Sequence, residues 1–554
     1  MDEVREVGQT LSVSVAAERL GVCGSTIRNW VRSGLLERVD GGVALGSVER
    51  FESEEVGRGR LTSRANKSQK EGRKGRKGRK RDSKAVEYDR GLSEAQRNKE
   101  GVYYTPTGTI QNIYKIFEGE DLSCKTLLDP CCGSGNFLIE ALDKGFAPEH
   151  IFGYEIDPEA ARIARRRIYE RTGVHSRNII CGDFLEVAHR LRRRFDYCIT
   201  NPPWGRRIDR RQRRRVAALY GAAVNDDSSS IFLRAAMGVT REGGVVSFLV
   251  QEALFTVRAH EALRRYLFDY NIVRLVDHGR VFPSLLTSAL SVTLRKEPSQ
   301  GSILCEVLGS DGGAVRHSVG GSVVQRVVRS RESFLCNPNL IFNIWASEAD
   351  AALIERLYSL PYITLRGAAN WGLGIVTGDN SRYVSTTPKE GFVEVVKGGD
   401  ILPEVEGDES SDGELAVRWG EGQIARGRHF INSDVSLYQQ VAPIGIYAAP
   451  EKLIYRFISS RLSFAVDRSQ LLTLNSANNL VLNESFPLTA QQLAQLLNSD
   501  FMNRLFRTIF HTRKVLRGDL EALPIFAEQI PRGEPFDEKS YIEALNVAFG
   551  LEII

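Results

Sequence analysis

The chain has 554 residues, 42% of them hydrophobic and 26% charged, an ordinary balance for folded protein and length enough for about three or four domains of roughly 150 residues. It holds no charge-free apolar run near the roughly 20 residues a membrane helix needs, and it opens on Met1-Asp2-Glu3-Val4-Arg5-Glu6, without a secretory apolar core, so a membrane-spanning or exported protein is not expected. The eight cysteines are scattered, and the close pair Cys131-Cys132 is adjacent and not at metal-ligand or redox spacing, so reduced thiols in a cytoplasmic protein are expected.

The net charge of +5 is unevenly placed. Gly72 to Arg81 repeats Gly-Arg-Lys and carries seven basic residues, more than the whole surplus. A second concentration, Arg206, Arg207, Arg210, Arg211, Arg213, Arg214 and Arg215, follows the motif that carries the chemistry below.

In chain order, residues 1–52 read as a small helical unit. Ser14 can cap a helix running to Leu20, Gly21 breaks it, and Ser25 can cap a second helix through Val31. Leu35-Leu36 through Gly41-Gly42-Val43 looks like a hairpin wing. Ala17-Glu18-Arg19-Leu20-Gly21-Val22 followed by Thr26-Ile27-Arg28-Asn29-Trp30 resembles the excisionase/MerR-type helix-turn-helix family. That resemblance implies DNA contact through the second helix, with Arg28 and Arg32 as candidates; a helical pair used for protein contacts is the alternative. Residues 53–90 are polar, charged and almost free of large apolar side chains, and are expected to form a disordered basic linker.

From about Gly91 to Lys296 short apolar runs alternate with helical stretches. Thr126–Leu128, Ile151–Tyr154, Asn178–Ile180, Tyr197–Ile199, Val245–Val250, Ile272–Val276 and Ala289–Leu294 are candidate strands, which predicts an α/β, doubly wound, mostly parallel sheet. Gly133-Ser134-Gly135 after the first strand lets the backbone turn sharply and lets a ligand approach closely. Gly153-Tyr154-Glu155-Ile156-Asp157 ends the second strand in acids suited to two ribose hydroxyls. Cys181-Gly182-Asp183-Phe184 ends the third, offering an acid to an adenine amine and a ring to its face; capping of the following helix is a fair alternative for Asp157 singly but a poor one for the whole ordered set. The fourth strand ends in Asn201-Pro202-Pro203-Trp204. An amide oxygen, an exposed backbone carbonyl and a flat ring at one strand end suit a planar exocyclic amine.

These motifs, with Gly101-Val102-Tyr103-Tyr104-Thr105-Pro106 upstream, resemble the S-adenosylmethionine-dependent N6-adenine DNA methyltransferases with cofactor motifs first and target-recognition domain last. The resemblance implies a Rossmann-like class I methyltransferase domain over 91–330 and an α+β target-recognition domain over 331–554. It places Tyr104, Thr105 (by its backbone), Pro106 and Asp129 at the methionine end of the cofactor, and Glu155 at the ribose. Ile156, Asp183 and Phe184 surround the cofactor's adenine, and Cys131, Gly133, Gly135 and Asn201 complete the cofactor set, with no chemistry attached to the cysteine pair.

In the mechanism the family implies, the Asn201 side-chain oxygen and the Pro202 carbonyl accept the two amine protons of an adenine swung out of duplex DNA. Pro203 completes the motif, and no metal is needed. Trp204 would receive one face of the base, and Phe282, within Gly279-Arg280-Val281-Phe282-Pro283, the other. Arg206, Arg207 and Arg210 are candidate phosphate contacts beside that base, a solvated helix face being the plainer reading. Asp226, Asp227 and Ser228 to Ser230 read as a polar loop without a role.

Gly374-Ile375-Val376-Thr377-Gly378-Asp379-Asn380, Lys397-Gly398-Gly399-Asp400-Ile401 and Leu496-Leu497-Asn498-Ser499 through Leu523-Pro524-Ile525 resemble parts of the family's target-recognition domains, with Arg513 and Lys514 as candidate DNA contacts. The expected partner is double-stranded DNA, together with a cognate restriction endonuclease if the modification serves restriction, in a nucleoid-associated setting. RNA adenine or protein glutamine methylation, and a DNA-binding regulator with a vestigial enzyme domain, remain the competing functions.

Overall fold

The computed structural model describes residues 10–20, 27, 31, 36–39, 42–53, 104–204, 210–221, 227–282, 285, 287–309, 323–402, 405–409, 415–420 and 422–553. The chain divides into two compact units, 1–81 and 82–554. Most of the expected linker, the expected helix contacts Arg28 and Arg32, and Gly101 to Tyr103 lie outside the described residues.

In the first unit, Thr10–Leu11, Gly42–Ala44 and Arg38–Val39 form an antiparallel sheet in that spatial order, flanked by helices Val13–Arg19 and Leu45–Ser53. A Cβ on Gly42 would lie 2.1 Å from the Leu11 carbonyl oxygen, so the strand pair closes only over glycine. Ala16, Leu20, Ile27, Leu36, Val43, Val48 and Phe51 form its core. The second of these helices, Leu45–Ser53, was not anticipated from the sequence pattern.

The second unit is built on one nine-stranded sheet. We number its strands β1 (Leu127–Asp129), β2 (Ile151–Glu155), β3 (Ile179–Cys181), β4 (Phe195–Thr200), β5 (Thr240–Gln251), β6 (Asn271–Asp277), β7 (Ala289–Arg295), β8 (Ser302–Leu308) and β9 (Val323–Ser330). Their spatial order is β3-β2-β1-β4-β5-β7-β6-β8-β9. β1 to β5 are mutually parallel, β7 runs antiparallel between β5 and β6, and β8 lies parallel to β6. All seven anticipated strands are present. β8 and β9 extend the sheet beyond them.

The central strands of the sheet are buried on both faces, as parallel strands require. One face packs on a core that includes Leu128, Phe184, Phe232, Phe248 and Phe255, the other on a core that includes Ile110, Leu127, Phe137, Tyr197 and Ile199. Arg274 of β6 is buried and ion-paired to Glu306 of β8, and it donates to the Asn112 carbonyl at 2.8 Å and the Asn112 side chain at 2.9 Å. This pins the helix Thr107–Ile113 to the sheet, and with it the Tyr104-Thr105-Pro106 segment at the helix entry. Removing one partner of such a buried pair costs about 3–5 kcal/mol.

The remainder has its own core, drawn from Ile341 to Ile553. It includes an antiparallel sheet of Ala369–Gly372, Ala477–Leu482, Lys452–Arg456 and Phe464–Asp467, with helices Glu348–Tyr358, Ala490–Asn498, Asp500–Phe510 and Glu538–Phe549. Around residue 341 the chain is shared between the two cores: Leu340, Phe342 and Ile344 pack into the first, Ile341 into the second. Among the described residues no helix is long and apolar enough to cross a membrane.

Candidate active site

The strand order reverses between β1 and β4, and an open α/β sheet binds its ligands outside the strand ends at such a point. β1 and β4 pair in register through Leu127 with Tyr197 and Leu128 with Cys198, and at their tips Asp129 reaches the Thr200 hydroxyl. Asp129 is 1% exposed. Its Oδ1 accepts from the Thr200 hydroxyl at 2.5 Å and from the Cys131 N–H at 3.0 Å, while Oδ2 is buried with no hydrogen-bond partner. Burial pushes this carboxyl up to about 7, against those two hydrogen bonds and with a smaller push from Glu155.

The turn after β1 carries Gly133 at φ +51° and Gly135 at φ +89°, a region that favours glycine. A Cβ on Gly135 would stand 3.1 Å from that of Ala164, so the turn also sets how closely the helix Pro158–Thr172 approaches. Nothing lies within 4 Å of the Cβ direction at Gly133. Glu155 at the tip of β2 accepts from the Gly133 N–H and the Asp157 N–H, each at 2.9 Å, and burial raises its carboxyl above the usual range. Asp157 and Asp183 do cap helices, accepting from the backbone of Glu159 at 2.8 Å and Leu185 at 3.0 Å. Ile156, just after β2, is 53% exposed, and Tyr104, just before the helix Thr107–Ile113, is 39% exposed.

Phe184 departs from the expectation. It is 1% exposed, with its ring 5.5 Å from Tyr154 and 6.2 Å from Phe232, and therefore packs under the sheet instead of offering a face to a purine. It begins an amphipathic turn directly behind β3, and the core is the larger sink for its apolar area.

Asn201 follows β4 at once, and its Nδ2 donates to the Thr105 hydroxyl at 3.1 Å. Thr105 is itself 3% exposed. Pro202 is buried, and the Pro203 carbonyl accepts from the Ser228 hydroxyl at 2.7 Å. Ser228 to Ser230, expected in a loop, are instead the buried first turn of the helix Ser228–Val239, capped by Asp227. Asp226 lies outside the described residues.

The two rings expected to flank a base touch each other. Trp204 and Phe282 are 7% and 3% exposed, with centroids 5.1 Å apart at 86°. A base sandwiched between parallel rings needs about 3.5 Å on each side, hence about 7 Å between centroids. Edge-to-face contact fills that gap with apolar packing. Trp204 is also tied to β5, its Nε1 donating to the Leu249 carbonyl at 3.2 Å.

Of the arginine cluster, Arg206 and Arg207 lie outside the described residues, and Arg210 opens the helix Arg210–Tyr220. Arg211 and Arg214 are exposed on it, and Arg215 pairs with Glu186 at 3.0 Å. Arg513 and Lys514 are exposed, remote in sequence from the strand tips, on the segment after the helix Asp500–Phe510. Sequence reasoning missed Thr200, Ser228, Asp277, Trp345 and His511. An acid just after an anticipated strand and before Gly279 was a usable signal for Asp277; the others had none.

A β3-β2-β1-β4-β5-β7-β6 sheet with an acid at the tip of β1 and Asn-Pro-Pro-Trp at the tip of β4 defines a class I methyltransferase that acts on an amine or amide nitrogen. Residues 88–281 match the N-6 DNA Methylase family, and residues 407–525 match the TaqI-like C-terminal specificity domain. The Type II methyltransferase M.VspI of Vibrio sp. (strain 343) is 35% identical over 408 residues, 71% of this chain and 96% of M.VspI. The chain belongs to the N-6 DNA methylase family and is an adenine-specific DNA methyltransferase. The Type II methyltransferase M.CvrRI of Paramecium bursaria Chlorella virus XZ-6E is 32% identical over 22% of this chain and 29% of its own. Among solved structures, the Type IIL restriction-modification enzyme MmeI in complex with DNA aligns at TM-score 0.49 and 12% identity, over 82% of this chain and 72% of that one.

Proposed function

We propose that the chain methylates N6 of an adenine swung out of duplex DNA, using S-adenosylmethionine bound over β1 and β2, at a sequence selected by the C-terminal specificity domain. The observation that carries this is the juxtaposition at the sheet's switch point of Asn201, oriented by Thr105, with the buried Asp129. The family's cofactor is cationic at sulfur and at its amino group. A buried carboxylate oxygen without a hydrogen-bond partner, beside an open glycine turn, fits such a ligand. Asp129, Tyr104 and the Thr105 backbone would hold the methionine end, Glu155 the ribose, and Ile156 and Asp183 the apolar and polar rim around the adenine. When bound, S-adenosylmethionine supplies an electrophilic methyl group.

The protein's own part is to make the adenine amine a better nucleophile. The Asn201 side-chain oxygen and the Pro202 carbonyl accept hydrogen bonds from its two N–H groups, and fixed acceptor dipoles stabilise the positive charge that develops on nitrogen until one proton leaves to solvent. Thr105 sets which way the Asn201 amide points, because the bond to its hydroxyl uses the amide nitrogen and turns the oxygen away from it. Ser228 occupies the Pro203 carbonyl and so holds the turn that follows Pro202. Entry of the base separates Phe282 from Trp204. Trp204 is anchored to β5, so the segment carrying Phe282 is the side that gives way.

Three tests address this proposal. Tritium transfer from labelled cofactor to duplex DNA, with sequencing that maps methylated adenine, is expected to show an N6 mark at a defined site; absence of adenine methylation overturns the reading. Thr105→Val is expected to lower kcat about tenfold with cofactor Kd unchanged, and Thr105→Ser to restore it, as loss of one buried hydrogen bond predicts. Removing residues 1–90 is expected to weaken DNA binding more than it slows single turnover at saturating DNA. If the basic run binds phosphates, the salt slope falls by about 0.9 for each phosphate it had neutralised. The exposed arginines of the helix Arg210–Tyr220, and Arg513 and Lys514, are the proposed phosphate contacts of the larger unit, and a restriction partner is compatible with this reading.

A further inference from the structure

We propose that Asp277 and Trp345 are positioning residues that fix the base of the turn carrying Phe282, so that its ring closes on a base that has entered beside Trp204, and that they tie this placement to the specificity domain through His511. The inference rests on the proposed role of Phe282 as a base-stacking ring.

Asp277 ends β6 and is 7% exposed. Its two carboxylate oxygens do different things. Oδ1 accepts from the Gly279 N–H at 2.7 Å, and Oδ2 accepts from the Trp345 indole N–H at 2.7 Å. Gly279 stands at φ +69° and opens the turn that carries Phe282; its carbonyl accepts from Val281 at 3.0 Å and from Ala289 of β7 at 2.9 Å. The carboxylate therefore fixes the first residue of the turn from one side, while the indole fixes the carboxylate from the other. Both are short charge-assisted bonds of the stronger kind.

Trp345 ends the segment shared by the two cores and packs at the edge of the first. Its other face is stacked on the His511 ring, centroids 4.1 Å apart and planes at 6°. His511 caps the helix Asp500–Phe510 in a left-handed conformation, φ +45°, two residues before Arg513 and three before Lys514. A displacement of that helix end, where exposed basic side chains meet DNA in our reading, moves the indole and, with it, the carboxylate that places Gly279. The chain of contacts is contiguous, and a contiguous chain becomes a coupling only when both ends bias it, so the test measures coupling.

The experiment uses the full-length enzyme and two duplexes bearing its methylation site, identified beforehand by sequencing: one with 2-aminopurine in place of the target adenine, which reports flipping, and one with the adenine itself, which reports the single-turnover rate. Trp345→Phe keeps a ring against His511 and removes only the indole N–H. It is expected to lower both the 2-aminopurine signal and the single-turnover rate about tenfold while the Kd for DNA and for cofactor stay within about twofold, as loss of a bond to a charged group predicts. Trp345→Phe combined with Asp277→Asn is expected to be no worse than the weaker single variant, because both break one linkage. Wild-type behaviour of Trp345→Phe overturns the proposal. So does strict additivity of the two substitutions, or a parallel loss of thermal stability, DNA affinity and flipping in both, which a merely structural role would give. Phe282→Ala, run alongside, separates this from the parent reading. If Phe282→Ala flips and methylates normally, the stacking role of Phe282 falls; if it is impaired while Trp345→Phe is normal, only the present inference falls.

Discussion

Asn201→Ala is expected to abolish methyl transfer, by about a hundredfold to a thousandfold or more, while cofactor affinity changes little. The expectation follows from what the amide does at the tip of β4. Adenine's amine is a poor nucleophile because its lone pair is delocalised into the ring, and acceptors that engage its protons draw the nitrogen towards tetrahedral geometry. Removing a preorganised hydrogen-bonding group that faces developing charge costs about that much in kcat in other enzymes. The alanine variant leaves the Asp129, Glu155 and glycine-turn contacts in place, which is why cofactor binding is spared. It also frees the Thr105 hydroxyl, so a modest loss of stability, about 1 kcal/mol, accompanies it. Tritium transfer under single-turnover conditions, paired with equilibrium cofactor binding, checks both halves. Activity above a tenth of wild type would mean that Asn201 is not the acceptor that activates the amine. Asn201→Asp is a useful companion: it keeps an acceptor oxygen but adds a charge and loses the N–H that donates to Thr105, so it is expected to fall between wild type and alanine.

How far the sequence carried this site depends on the kind of residue. Most of the strands β1 to β7 were legible because strands buried on both faces, parallel or antiparallel, are nearly unbroken apolar runs, and each catalytic segment follows one of them at once. The spatial order was not legible from periodicity, since nothing local says that β7 enters between β5 and β6. β8 and β9 escaped notice because they end the sheet at an edge, where alternate residues such as Val324 and Val328 are 69% and 63% exposed and the pattern weakens. Asp129 and Asn201 were readable from motif position. Phe184 was misjudged because a ring next to a functional acid is as well suited to the core beneath it, and sequence does not say which way a side chain turns. Trp204 and Phe282 were identified as a pair, but their contact at 5.1 Å, in place of a gap between them, is a property of packing alone. The Asp277, Trp345 and His511 chain joins residues 234 positions apart at its ends, and no local pattern records it.

The second large effect concerns Asp129. With its carboxyl raised to about 7 chiefly by burial, this acid is largely protonated at pH 6 and largely ionised at pH 8 in the ligand-free protein. A cationic ligand binds the ionised form, and apparent affinity scales with the competent fraction. The ionised fraction rises about tenfold between pH 6 and pH 8 for a pKa of about 7, so cofactor affinity is expected to rise by about that factor, with release of close to one proton on binding at the lower pH. The sign for folding runs the other way. The folded state holds this proton more tightly than the unfolded chain, whose carboxyl titrates near 3.8, so the ligand-free fold loses stability from Asp129 as pH rises from about 4 to about 7 and recovers it on cofactor binding. Asp129→Asn is expected to bind cofactor at least about tenfold more weakly at pH 8, where the charged hydrogen-bond acceptor is missing. The ratio of wild-type to Asp129→Asn affinity cancels titration of the ligand's own groups. That ratio, measured by calorimetry in buffers of different ionisation enthalpy, must climb with pH; a flat ratio would place the cofactor's cationic groups away from Asp129 and break the link between the buried β1 tip and methyl transfer.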